Sequence, residues 1–166
     1  FGVGGRKRIR RAIRDVEDYL DVWPGDYIDI VGFSRGAALA VECASQLAAR
    51  GIGVRCLMAF ECVAAFGIPI DLFGIPFARI NLGYRIVVPR TVETALHAMA
   101  LDEQRAAFQV TRLHGAREVW FKGGHSDVGG GNGNCGLSDI SLQWMVDSAI
   151  DALSRYLRRL PEAVAA

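Results

Sequence analysis

The chain has no apolar run long enough to cross a bilayer, no stretch patterned like a secretory signal, and no initiator methionine, since it opens at Phe1. The first two absences argue against a helical membrane span and a signal-bearing precursor, and lead us to expect a cytoplasmic location in the producing cell. The third leads us to expect a fragment. Charge of one sign is also missing: 19 Lys and Arg stand against 18 Asp and Glu, a formal net charge of +1, so no nucleic-acid partner is expected. The basic cluster Arg6 to Arg11 runs straight into Asp15, Glu17, Asp18 and Asp21 and reads as the solvated face of a helix. Cysteines are few. Cys43, Cys56, Cys62 and Cys135 form no C-x-x-C pair and no zinc spacing, so reduced thiols in or near a core are expected. No metal-ligand set occurs, and no lysine follows the glycines in a phosphate-loop spacing, so the expected cofactors and metals are none.

What is present is 166 residues, 51% hydrophobic and 22% charged, enough for one globular domain spanning 1–166 with a substantial core. Its centre is Ile30-Val31-Gly32-Phe33-Ser34-Arg35-Gly36-Ala37. Tyr27 to Val31 has strand composition after the turn dipeptide Pro24-Gly25, and Ala37 to Arg50 is alanine-dense helix stopped at Gly51. A serine on so sharp a strand-to-helix corner sits in a strained backbone, which demands small residues two before and two after it. Gly32 and Gly36 are those residues. The corner is the nucleophile elbow of an α/β-hydrolase, with Ser34 as nucleophile.

Around it, Arg6 to Leu20 carries a helical stripe of Ile9, Ile13, Val16, Tyr19 and Leu20, and Ile52 to Phe60 reads as a second buried strand with Glu61 at its carboxyl end. In an open parallel sheet that end shares an edge with Ser34, so Glu61 is a candidate to orient a histidine; the alternative is a surface glutamate that happens to follow a strand. Val63 to Ile80 is apolar without period, either a lid or acyl-binding wall or a loop packed on the core. Tyr84 to Val88 suggests a short extended segment, and Thr91 to Phe108 a helix. His97 lies in that expected helix and reads as structural; nothing around His114 suggests chemistry. His125 differs. It follows the strand-like Glu118 to Phe121, in the glycine-rich loop Gly123 to Gly131, where this fold carries its general base. Leu137 to Leu160 completes the chain as an amphipathic helix capped by Ser138, with Ile140, Trp144, Met145, Ala149, Leu153, Tyr156 and Leu157 inward.

Five segments together resemble one family: Gly32 to Ala37, Val63 to Pro69, His97 to Glu103, Val119 to Phe121 with His125 to Gly131, and Leu137 to Ile140. It is the uncharacterised α/β-hydrolase family that includes the catalytic domain of type VI secretion phospholipase effectors. The resemblance implies a three-layer α/β sandwich with a mostly parallel sheet, a serine esterase or lipase activity, phospholipid acyl esters as substrate in the effector members, contact with a membrane surface, and delivery to a target cell by a secretion system. Two departures stand out. Phe60-Glu61-Cys62-Val63 occupies the place of the family's Trp-Asp-Thr-Val, which makes Glu61 the triad acid where the family has aspartate. The family's amino-terminal strand with its Asp-Gly-Thr signature is absent, and a second oxyanion donor with it. On this reading His125 deprotonates Ser34, Glu61 holds the imidazole, and the backbone N–H of Arg35 receives the oxyanion. Asp127 is an alternative acid or a residue that orders the loop. The opposing expectation is a truncated, catalytically silent hydrolase-like domain that acts by binding.

Overall fold

The computed structural model describes residues 4–64, 71–72, 75–76, 86–105 and 108–158. The elements in order are α1 (Gly5–Val22), β1 (Asp29–Phe33), α2 (Arg35–Ala48), β2 (Val54–Phe60), β3 (Asp71–Leu72), β4 (Ile75–Pro76), β5 (Val92–Ala100), β6 (Arg117–Phe121), α3 (His125–Gly129) and α4 (Gly136–Leu157). Four strands form a sheet in the order β1-β2-β5-β6 with all three pairings parallel, and β3 pairs antiparallel with β4. Parallel neighbours need a crossover, and α2 supplies the one between β1 and β2.

Each face of the sheet is covered by helices, giving three layers. On one face Ala37, Ala38, Val41, Ala44 and Leu47 of α2 pack on Leu57 and Ala59, and α1 seals them with Ile9 and Ile13. The alanines let α2 approach the strands closely, and each buried Leu, Ile or Val contributes about 1.5–3 kcal/mol. Tyr19, expected in the buried stripe of α1, is exposed. On the other face Met145 of α4 and Val128 of α3 pack on Cys56, Leu96, Ala98 and Ala100. Ser141 ties the two helices together, its buried hydroxyl donating to the Val128 carbonyl at 2.6 Å.

Three expectations are corrected. Thr91 to Phe108 is not a helix; Val92–Ala100 is the strand β5 at the heart of the sheet. Its residues from Ala95 to Ala100 are all buried, because helices cover both faces, so the period-2 alternation that would betray a strand is erased. Ser138 does not cap α4: Asn134 Oδ1 accepts the Gly136 N–H at 3.1 Å, and the Ser138 hydroxyl donates to the Cys135 carbonyl at 3.0 Å. The face of α4 that meets the core is Ser141, Met145, Ser148 and Ala152, flanked by the expected Trp144 and Ala149, while the expected Ile140 is exposed. Within Val63 to Ile80 the described residues include the β3–β4 pair, and Val87 bridges His114 in parallel. The lid or acyl-wall expectation otherwise lies outside the described residues.

Cys43, Cys56 and Cys62 are buried free thiols and Cys135 is exposed. Burial raises all three buried thiols, Cys56 to about 11 and Cys62 to about 12, and thiolate is the reactive form. Iodoacetamide at neutral pH should therefore alkylate Cys135 alone in the native protein and all four cysteines after unfolding. Mass spectrometry of the alkylated chain checks this, and a second adduct under native conditions contradicts it.

Candidate active site

Ser34 stands between β1 and α2 with φ 58° and ψ −124°, a conformation that a residue with a Cβ rarely adopts. The corner is closed by backbone contact at Gly32: a Cβ there would lie 2.6 Å from both the Ala37 Cα and the Gly36 carbonyl oxygen, so no side chain fits. Gly36 is not under that constraint, since a Cβ there meets nothing within 4 Å, and the demand for a small residue falls on Gly32 alone. Arg35 is the first residue of α2, so its N–H is among the amides a helix leaves without an intrahelical acceptor, at the positive end of the helix dipole.

The corner is tied to the end of β2. The Ser34 N–H donates to the Phe60 carbonyl at 2.9 Å, and the Ser34 carbonyl accepts the Val63 N–H at 3.1 Å. Between those two anchors lies Glu61, fully buried, with φ 45°. Ser34 and Glu61 are the two non-glycine residues of positive φ among the described residues, and such strain collects where surrounding structure fixes a functional side chain. One Glu61 oxygen accepts the Ala100 N–H and the other stands 3.2 Å from His125 Nδ1, so both oxygens of the buried carboxylate are occupied. This is not a surface glutamate.

His125 opens α3 rather than lying in open loop, and is 4% exposed. Its imidazole contacts two aromatic rings, Phe33 at 4.6 Å and Phe108 at 4.8 Å between centroids, both tilted to it. Phe33 precedes Ser34, so the ring that flanks the imidazole belongs to the strand that carries the serine. Asp127 does not meet the imidazole nitrogens. Its carboxylate accepts the Gly124 N–H at 2.9 Å and the Asn132 side-chain amide, which orders the turn into α3.

A second buried histidine supports the acid turn. His97 in β5 accepts the Cys62 N–H at Nε2, 3.1 Å away. A backbone N–H can only donate, so the proton sits on Nδ1, which donates to Glu118 Oε1 at 3.0 Å. Burial lowers the His97 pKa from its ordinary 6.5, against the opposing pull of Glu118. The unfolded chain therefore takes up a proton near pH 6.5 that the folded chain resists, and stability present above that pH is lost as pH falls toward the lowered folded value. Urea midpoints should drop between pH 7 and pH 5, and drop less in His97→Gln; equal slopes in the two proteins would exclude this role.

Reading β5 as helix hid Asp102 and Glu103, which follow its carboxyl end and so share the edge of the sheet with Ser34 and Glu61. The signal that could have found them is an acidic pair directly after a buried strand.

Comparison with known proteins yields a match between residues 40–148 and the family model for the type VI secretion phospholipase effector Tle1-like catalytic domain. Glu61 and His125 fall inside the matched span and Ser34 lies before it. Among solved structures the chain is similar to the Tle1 effector bound to the VgrG spike from the type VI secretion system, at 30% identity and a TM-score of 0.52 over 65% of this chain. The chain spans about a quarter of that one, which is covered to 25%. No curated protein sequence matches.

Proposed function

The chain belongs to the Tle1-like catalytic domain family of type VI secretion phospholipase effectors, and from that premise we propose that it is a serine hydrolase that cleaves phospholipid acyl esters. The observation that carries the reading is the buried Glu61 carboxylate 3.2 Å from His125 Nδ1, on the turn whose neighbours Phe60 and Val63 hold the backbone of Ser34. Glu61 keeps the proton on Nδ1 and leaves Nε2 as the base. Nε2 removes the Ser34 hydroxyl proton as the oxygen attacks the ester carbonyl, and returns it to the leaving alcohol as the acyl-enzyme forms. Water, deprotonated by the same nitrogen, then releases the fatty acid. The Arg35 N–H stabilises the oxyanion in both steps, each such donor contributing about 3 kcal/mol. The family supports a phospholipid substrate and delivery through the type VI secretion system; among the described residues no helix is long and apolar enough to cross a membrane.

A second reading, binding without turnover, is favoured by one observation. β1, which leads into Ser34, has β2 on one side and no paired strand on the other among the described residues. A fluorophosphonate probe separates the two. Labelling of the folded chain that is lost in Ser34→Ala, with fatty acid released from phosphatidylethanolamine vesicles, supports the hydrolase; a folded chain that takes no label supports the binding domain.

A further inference from the structure

Three consecutive backbone N–H groups lead into His125, and each donates to a different carboxylate. Gly123 donates to Asp102 at 2.8 Å, Gly124 to Asp127 at 2.9 Å, and His125 to Glu103 at 3.0 Å. Gly123 can be nothing but glycine in this turn: its φ is +105°, and a Cβ would lie 2.5 Å from that of Asp127. Of the three carboxylates, only that of Glu103 bonds to the histidine itself.

Glu103 is itself locked. Its side chain is 7% exposed, and its two oxygens accept the Arg105 N–H at 2.7 Å, Arg105 Nε at 2.9 Å and Arg105 Nη2 at 2.7 Å. The Arg105 guanidinium in turn lies 4.2 Å over the Phe108 ring, whose centroid is 4.8 Å from that of the His125 imidazole. The side chains thus close a ring: Glu103 holds the histidine backbone, Arg105 holds Glu103 and Phe108, and Phe108 packs on the imidazole.

Building on the reading of His125 as general base, we propose that Glu103 is a positioning residue for it, acting through the His125 N–H and, by way of Arg105 and Phe108, through the imidazole face. The physical reason is geometric. Glu61 fixes only Nδ1, and an imidazole held at one nitrogen can still swing about that bond; anchoring the backbone and one ring face removes the swing and keeps Nε2 aimed. A charge-assisted bond is roughly twice as strong as a neutral one, which suits an anchor for the backbone of the histidine. The Arg105 bond keeps the Glu103 carboxylate ionised, with its pKa held down at about 2, so the anchor is charged at neutral pH.

Misplacing a reacting group by about 1 Å costs about 100-fold. In the 166-residue chain, Glu103→Ala should therefore slow fluorophosphonate labelling and kcat on a short-chain ester by about 100-fold with KM within about threefold. The downfield proton resonance of His125 Nδ1–H should broaden or vanish in the same variant. Glu103→Gln, which keeps an acceptor for the His125 N–H and loses the bidentate Arg105 contact, should recover about tenfold. Phe108→Leu leaves Glu103 in place and removes the ring from the imidazole; it should lose about fivefold to tenfold, and it decides the matter with Glu103→Gln should Glu103→Ala fail to fold. Labelling in folded Glu103 and Phe108 variants within threefold of the parent, with the His125 resonance intact, overturns the proposal. His125→Ala separates this failure from that of the underlying reading: if His125→Ala labels like the parent, His125 is not the base and both fall, whereas an unlabelled His125→Ala beside healthy Glu103 variants removes only the positioning role.

Discussion

Ser34→Ala is expected to abolish fluorophosphonate labelling and to lower ester turnover by about five to six orders of magnitude in kcat, the scale on which losing the nucleophile removes covalent catalysis altogether. Its melting temperature should stay close to that of the parent. Alanine retains the Cβ that makes φ 58° costly, and the hydrogen bonds that define the corner, Ser34 N–H to Phe60 and Val63 N–H to Ser34, are made by the main chain. Ser34→Gly separates chemistry from strain. Backbone strain of this kind costs about 1–3 kcal/mol, while glycine adds about 0.5–1 kcal/mol of unfolded-state entropy. Ser34→Gly should thus be at least as stable as Ser34→Ala and equally inactive. Thermal melts of the two variants beside the labelling assay give both answers, and a Ser34→Gly protein markedly less stable than Ser34→Ala would mean that the corner is not strained.

Glu61→Gln is expected to cost about four orders of magnitude in kcat with the fold retained. The argument rests on what the buried amide must do. The Ala100 N–H needs an acceptor where Glu61 now supplies one, so the Gln oxygen turns to Ala100 and the NH2 group turns to His125 Nδ1. An NH2 can only donate, so Nδ1 becomes the acceptor and the imidazole proton moves to Nε2, where a base is required. Asp127→Asn should stay within about tenfold of the parent, because an Asn oxygen still accepts the Gly124 N–H. Rates for the two variants on one ester test the assignment directly. An inactive Asp127→Asn beside a healthy Glu61→Gln would transfer the acid's role to Asp127.

The elbow could be read in the sequence because its cause is local. Gly32 is required by atoms four and five residues away, and strand-before, helix-after follows from the composition on each side. The position of Glu61 was also legible, since a strand of buried residues ending in a carboxylate puts that carboxylate on the sheet edge. β5 was not. Val92, Leu96, Met99 and Ala100 mimic a helical stripe, and a strand buried on both faces carries no alternation to correct the impression. A helix over Thr91 to Phe108 would put His97 on a helix and carry Asp102 and Glu103 away from the edge, where the strand places them.

Taken alone, the amino-acid sequence determined the chemistry on offer: one serine on a corner that Gly32 permits, one histidine in a glycine-rich turn, and an acid at a strand end. Those features depend on sterics within a few residues. Which carboxylate meets the imidazole was decided by the tertiary structure, because the partners lie far apart in the chain: His125 and Glu61 are separated by 64 residues, and Glu61 and Ala100 by 39. Asp127, two residues from His125, is nearer in sequence, yet its oxygens are taken up by the Gly124 N–H and the Asn132 amide. Sequence proximity sets which groups could meet; the parallel sheet, by bringing the ends of β1, β2 and β5 to one edge, decides which of them do.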